Sequence, residues 1–209
     1  STATISVLAR KSRKASEQEA TDYVAAMLLA VSMMFLRFMI LILIFSREIF
    51  LSIYPYLLTM AVVAAIVAWF IHSRQKRPEG QSAETEEDDS SNPLEFKVAL
   101  IFAILFVIFT FLTHYTLVYA GTGGLNLLSF VSGFSDITPF ILNLLQNTGS
   151  VAALIITACS MQAIISNIMV NMFYALFFAG KGSKLRPWIL GGFGVVTVCN
   201  LVLLLFFYI

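Results

Sequence analysis

Charge is the scarcest property of this sequence. Only 12% of the 209 residues are Asp, Glu, Lys or Arg, whereas a soluble domain carries about 25%. The net charge of +1 gives no electrostatic basis for a nucleic-acid partner. With 59% hydrophobic residues and a mean hydropathy of +0.87, the composition excludes an ordinary soluble domain and predicts a protein of the lipid bilayer.

Residues that carry catalytic or metal chemistry are also few. The two cysteines, Cys159 and Cys199, fall within apolar runs and are expected to be small buried hydrophobes. The two histidines, His72 and His114, sit near segment ends and are expected to be interface anchors. No HExxH, CxxC, GxSxG or P-loop pattern occurs. We therefore expect no enzyme, no metal site and no cofactor.

Long apolar runs dominate what is present. An apolar run of about 20 residues spans the hydrocarbon core as a helix. The predicted spans are residues 22–45, 51–71, 96–120, 150–179 and 187–209, with a short turn at 46–50 and a short element at 1–9. Gly191, Gly192 and Gly194 near the start of the last span predict close helix approach there.

One further apolar segment, residues 121–146, is interrupted in its middle. Two apolar runs, 125–131 and 140–145, flank Ser132, Gly133, Ser135, Asp136, Thr138 and Pro139. Lipid cannot satisfy free backbone N–H and C=O groups, so such a break is tolerated only inside protein or beside water. Many transporters build their substrate site from half-helices of this kind. This segment is therefore the predicted functional site.

The order of the elements favours an internal repeat. Residues 1–5 and 135–139 each precede a long span, a turn and a second span, and VAAMLLA at 24–30 resembles VAALIIT at 151–157. We predict a first, incomplete repeat at 1–72, a flexible charged loop at 73–95 and a second repeat at 96–209. A span equivalent to 96–120 is expected to be missing upstream.

Four motifs resemble a known family. STATISVLARKSR at 1–13, NPLEFKVAL at 92–100, SGFSDITPF at 132–140 and the segment around Asn167 look like a bacterial integral-membrane domain of unknown function, usually found C-terminal to an MgtC/SapB-type domain. The resemblance covers essentially the whole chain. It implies an N-terminally truncated copy of a multi-span inner-membrane protein, loosely associated with magnesium homeostasis. It implies no established activity. Where the family tends to have a second acid and a lysine, this chain has Ile137 and Asn171.

Arg37 and Asp136 are the sharpest candidate residues. A charge at the centre of a span costs roughly 2.5–3.5 kcal/mol on insertion scales and normally faces the bundle interior, where we expect both residues. Arg37 is either a structural residue that caps broken-helix carbonyls or a ligand for an anionic group. Asp136 is an N-cap of the second half-helix, a cation ligand or a proton carrier. The two can also pair with each other.

Polar residues of the fourth span complete the candidate site. Asn167 and Asn171 are four residues apart and share one helical face, which Ser160 and Gln162 are expected to fit less well. They either hydrogen-bond between helices or line a polar pathway. The predicted ion or substrate pathway consists of Arg37, Ser135, Asp136, Thr138, Asn167 and Asn171, joined by Ser1, Thr2 and Thr4 if the repeat is real.

The basic residues predict an orientation. With the N-terminus and the 73–95 loop in the cytoplasm and a re-entrant broken segment, only Arg47 of the 13 Lys and Arg residues lies outside, and Arg37 stays in the membrane. A broken segment that crosses the membrane would add the basic loop at 181–186 to the outside. The positive-inside rule favours the re-entrant arrangement, which makes the two repeats inverted.

These patterns predict an all-α membrane protein, a helical bundle with five full spans, discontinuous elements and an inverted repeat. The leading hypothesis is a secondary transporter or channel-like protein for a small ion or polar solute. The alternative is a non-transporting regulator or assembly subunit, partnered by an MgtC/SapB-type domain or by further copies of the chain.

Overall fold

The computed structural model describes residues 2–12, 17–73, 93–147, 151–180, 183 and 185–208. Across these ranges the chain is helical apart from short turns, and no strand occurs. The helices are α1 (Thr2–Ser12), α2 (Glu17–Phe45), α3 (Arg47–Ser73), α4 (Pro93–Ser132), α5 (Ile137–Gln146), α6 (Ala153–Ala179) and α7 (Arg186–Tyr208). Five of them are long and apolar enough to cross a membrane, which confirms the predicted five-span helical bundle. The predicted loop at 73–95 lies almost wholly outside the described residues.

The turn predicted at 46–50 is shorter than expected. Only Ser46 separates α2 from α3, so the prediction of a five-residue turn is wrong. The Ser46 N–H donates to the Ile42 carbonyl at 2.8 Å, and the Phe50 N–H donates to the Ser46 carbonyl at 3.0 Å. The helical hydrogen-bond pattern therefore continues across the junction. Arg47 and Glu48 resemble loop residues by polarity, yet both are accommodated in the first turn of α3.

The packing places α6 at the centre of the bundle and α4 at its edge. In α6, 67% of the most apolar stretch of 18 residues is buried, whereas in α4 only 11% of the corresponding stretch is buried. The most extensive contacts join α2 with α3 and α6 with α7. The short helix α1 packs on α2 and α6, whereas α5 packs on α4, α6 and α2. In addition, α3 contacts α6 and α7, and α7 contacts α2.

Close packing replaces hydrophobic burial as the force that holds such a bundle together, because lipid tails are as apolar as leucine. Gly192 shows one such approach. A Cβ at this position would lie 2.6 Å from Leu28 Cδ1 of α2 and 3.2 Å from Ile71 Cδ1 of α3. A Cβ added at Gly191 or Gly194 would have no neighbour within 4 Å. The close approach predicted from the three glycines is therefore made by Gly192.

Candidate functional site

The predicted break is confirmed between α4 and α5. Helix α4 ends at Ser132, α5 begins at Ile137, and residues 133–136 turn between them. A second irregularity lies inside α4 at Gly121, where φ is 59° and ψ is −148°. A positive φ is readily adopted only by glycine. The parts before and after the break, residues 122–132 and α5, are each about 15 Å long, half of a ~30 Å hydrocarbon core.

Gly133 brings the break into direct contact with α6. A Cβ at this position would overlap the Ser166 side chain and lie 2.7 Å from the backbone nitrogen of Asn167. The Ser166 hydroxyl donates to the Phe130 carbonyl at 2.6 Å. The last turn of α4 is therefore seated on α6 at a distance that only glycine permits.

Asn167 satisfies carbonyl groups that the break leaves free. The last carbonyls of a helix lack partners within the helix. The Asn167 Nδ2 group donates to the Gly133 carbonyl at 3.2 Å and to the Ser135 carbonyl at 3.4 Å. Asn167 is itself buried. This side chain from the central helix thus supplies the donors that lipid cannot supply.

On the other side of the break, Thr138 links α5 to α2. Asp136 is the N-cap of α5, and its Oδ1 accepts from the Thr138 N–H at 2.9 Å and from the Thr138 hydroxyl at 2.6 Å. The Arg37 Nη2 group donates to the same hydroxyl oxygen at 3.0 Å. The Thr138 hydroxyl therefore accepts from Arg37 and donates to Asp136. The N-cap interpretation of Asp136 is confirmed.

Direct pairing of Arg37 with Asp136 is not observed. Within the described ranges, the one ion pair joins His72 Nδ1 to Asp22 Oδ1 at 2.8 Å, between α3 and α2. Arg37 and Asp136 instead interact through the intervening hydroxyl of Thr138. A charged pair bridged in this way has both partners hydrogen-bonded without contact between the charged groups.

The expected interior position is wrong for the two charged residues. Arg37 and Asp136 are exposed in this chain, Ser135 is half-buried, and Thr138 and Asn167 are buried. A long arginine side chain can extend from the helix surface and place only its guanidinium against a polar partner. An N-cap side chain lies at the outer end of its helix, so Asp136 is also left open. The polar region thus reaches the surface of the bundle.

A polar stripe runs along α6. Ser160 lies seven residues before Asn167 and eleven before Asn171, which correspond to about two and three helical turns. The expectation that Ser160 fits the asparagine face less well is therefore wrong, whereas Gln162 is only half-buried. Thr157, which sequence reasoning missed, joins the stripe and could have been found from its spacing of three residues to Ser160. Thr157, Ser160, Asn167 and Asn171 are all buried.

The remaining candidates lie away from this cluster or outside the described residues. Thr4 is exposed on α1. Ser1 and the side chain of Thr2 lie outside what the structure describes. His114 is exposed on α4 and packs edge-on against Tyr115. Of the two cysteines, Cys159 is buried, Cys199 is half-buried, and both are free thiols.

Comparison with known proteins assigns the chain to a family. Residues 1–179 match a family described as a domain of unknown function, DUF4010. The chain belongs to this family. It is 24% identical over 156 residues to a protein from Aquifex aeolicus (strain VF5) described as "Uncharacterized protein", a match that covers 74% of this chain and 65% of that relative. No solved structure matches. The DUF4010 match includes α1 through α6 and therefore the whole of the broken helix.

Proposed function

We propose that this chain is a secondary transporter or channel-like protein for a small ion or polar solute, with its site at the break between α4 and α5. The observation that carries the proposal is that four helices meet at the break, because α2 and α6 both contact the junction of α4 and α5. Arg37 of α2 reaches it through Thr138, and Asn167 of α6 reaches it through two backbone carbonyls. Discontinuous membrane helices are a typical construction of a transporter site.

The depth of Arg37 supports a hydrated site. About 12 Å of helix rise separates Arg37 from Phe45, the last residue of α2. An arginine exposed at that depth to lipid would cost several kcal/mol, and intramembrane charges mark ion or substrate pathways. Asp136 is exposed as well, and it shares the Thr138 hydroxyl with Arg37. Water or a polar solute at this surface would relieve the cost for both groups.

The packing supports an internal repeat. If α1, α2 and α3 exchange places with α5, α6 and α7, the contacts of the bundle are largely preserved. The contact of α1 with α2 and α6 becomes that of α5 with α6 and α2, and the contact of α3 with α6 becomes that of α7 with α2. We propose that the two repeats are inverted, an arrangement typical of secondary transporters. We propose that the broken segment is re-entrant and that the N-terminus is cytoplasmic in a bacterial inner membrane.

One observation favours the alternative, a non-transporting membrane regulator. The polar atoms at the break already have partners within the chain, since Asp136 caps α5 and Arg37 binds the Thr138 hydroxyl. On this alternative, the hydrogen bonds at the break only hold the four helices α2, α4, α5 and α6 together. In that case the bundle would act through packing against a partner, such as an MgtC/SapB-type domain or another copy of the chain.

Flux into proteoliposomes separates the two functions. We expect the wild-type chain to carry at least one member of a broad panel of monovalent and divalent ions and small polar solutes. The Arg37→Ala and Asp136→Asn variants should lose this flux and keep the helical fold. Absence of wild-type flux across the panel, together with a partner protein retained through purification, would favour the regulator.

A further inference from the structure

Asn171 is fully buried in α6, and one of its two polar atoms lacks a partner. Its Nδ2 group donates to Asn167 Oδ1 at 3.1 Å. Its Oδ1 has no hydrogen-bond partner within the part of the chain that the structure describes. A buried polar atom without a partner costs about 1–3 kcal/mol, and in a native structure it calls for a functional explanation or a bound ion or water.

The neighbouring hydrogen bonds fix which atom is left free. Asn167 Nδ2 donates to the carbonyls of Gly133 and Ser135, which can only accept. The Asn167 Oδ1 atom must therefore face Asn171, and Asn171 must direct its NH2 group toward it. The free atom of Asn171 is consequently its oxygen. The chain of amides that begins at the broken helix ends in an acceptor.

Two more oxygen atoms continue this acceptor along α6. The hydroxyl oxygens of Ser160 and Thr157 are also buried without partners among the described residues. Relative to Ser160, the side chains of Thr157 and Asn171 project within about 60° around the helix axis, at 100° per residue. The three oxygens therefore share one face over about 21 Å of helix rise.

We propose that this face of α6 binds a small monovalent cation, with Asn171 Oδ1 as the principal ligand. Ser160 and Thr157, about 16 Å of helix rise or more from Asn171, would form a second, separate position on the path of the cation. This assignment rests on the proposed function, because it names the ion that the broken-helix site would carry. Neutral oxygen ligands replace the hydration shell of alkali ions in cation channels. Divalent cations are usually bound by carboxylate oxygens. The free atoms on this face are an amide oxygen and two hydroxyl oxygens. At the break itself, Asp136 balances the charge of Arg37.

Thermal unfolding of the full chain in lipid nanodiscs tests this site without any flux measurement. Sodium, potassium or ammonium chloride is titrated against choline chloride at constant ionic strength. We expect saturable stabilisation by at least one of the three cations. Asn171→Leu should raise the half-saturating cation concentration by about tenfold or more. A loss of affinity of this size is typical when a ligand or the residue that supports it is removed. Asn171→Asp puts a negative charge on the acceptor and should therefore lower the half-saturating concentration.

Thr113→Val is the matched control. The Thr113 hydroxyl of α4 is also buried without a partner in the described ranges, but it lies on another helix. This variant should bind the cation as the wild type does. Ser160→Ala should also leave binding at Asn171 unchanged, because Ser160 lies about 16 Å of helix rise away. If the wild type is as stable in choline chloride as in sodium, potassium and ammonium chloride, the free oxygens hold water only and the proposal fails. It also fails if Asn171→Leu and Asn171→Asp bind the cation with wild-type affinity. Cation binding without flux would support this site and contradict the transport function. Flux without cation-specific stabilisation would support the transport function and contradict this site.

Discussion

Gly133→Ala tests how tightly the break is seated on α6. The added Cβ would overlap the Ser166 side chain and lie 2.7 Å from the Asn167 backbone nitrogen. A flexible side chain could rotate away, but the backbone of α6 cannot move without the helix. The end of α4 must therefore lift from α6.

The expected cost of this substitution combines steric overlap with weakened hydrogen bonds. Overpacking a packed interior costs about 1–3 kcal/mol. Lifting α4 also lengthens the two bonds from Asn167 and the bond from Ser166 to Phe130, each worth about 0.6 kcal/mol within a membrane protein. The lower conformational entropy of the unfolded chain offsets about 0.4–1 kcal/mol for Gly→Ala. The net destabilisation should be roughly 2–4 kcal/mol.

Reversible unfolding of the purified chain in mixed micelles measures this change. At about 2–4 °C per kcal/mol for a chain of this size, the melting temperature should fall by roughly 5–15 °C. Gly194→Ala is the matched control, because a Cβ there would meet nothing within 4 Å and the residue lies inside α7. That variant should be unchanged or gain about 0.5–1 kcal/mol. Equal melting temperatures for Gly133→Ala and the wild type would refute the seating of the break on α6.

Three further outcomes are expected. Thr138→Val removes the hydroxyl that joins Arg37 to Asp136 and should cost about 1–3 kcal/mol in chemical unfolding, whereas Thr138→Ser should stay close to the wild type; equal loss in both would contradict the bridge. Arg37→Ala and Asp136→Asn should each abolish flux while circular dichroism keeps the helical spectrum, and wild-type flux in both would leave them only structural roles. Gly121→Ala should cost about 1–3 kcal/mol, because an L-residue is strained at its positive φ, while Gly123→Ala, with open space around its Cβ, should be neutral.

The spans and the break could be predicted because both depend on local composition. Apolar runs of sufficient length identify membrane helices, and Ser132, Gly133, Asp136 and Pro139 mark a place where a helix cannot continue unaided. The N-cap role of Asp136 was likewise accessible, since a short acidic side chain before a helix accepts its free N–H groups. These features need no knowledge of distant parts of the chain.

The features that sequence reasoning missed depend on how helices meet. The exposure of Arg37 follows from which face of α2 lacks a neighbour, and the bridge through Thr138 joins residues about a hundred positions apart. Near Gly121, three glycines lie within four positions, and only Gly121 takes a positive φ. Composition cannot select among them. The junction at Ser46 escapes prediction for a different reason, because charged residues at a span end suit a loop and a helix start equally well.

A transport site at the break must be reached by water from both faces of the membrane, and the access of water to residue 135 tests this requirement of the proposed function most directly. Ser135 is half-buried beside the exposed Asp136. In reconstituted chain with Cys159 and Cys199 replaced by alanine, Ser135→Cys is treated from each side in turn with a membrane-impermeant, charged thiol reagent. Val131→Cys, on an exposed apolar position of α4, is the lipid-facing control. We predict reaction at position 135 from both sides and no reaction at 131. Reaction of Ser135→Cys from one side only, or only with a lipid-soluble reagent as at 131, would contradict the proposed transport site.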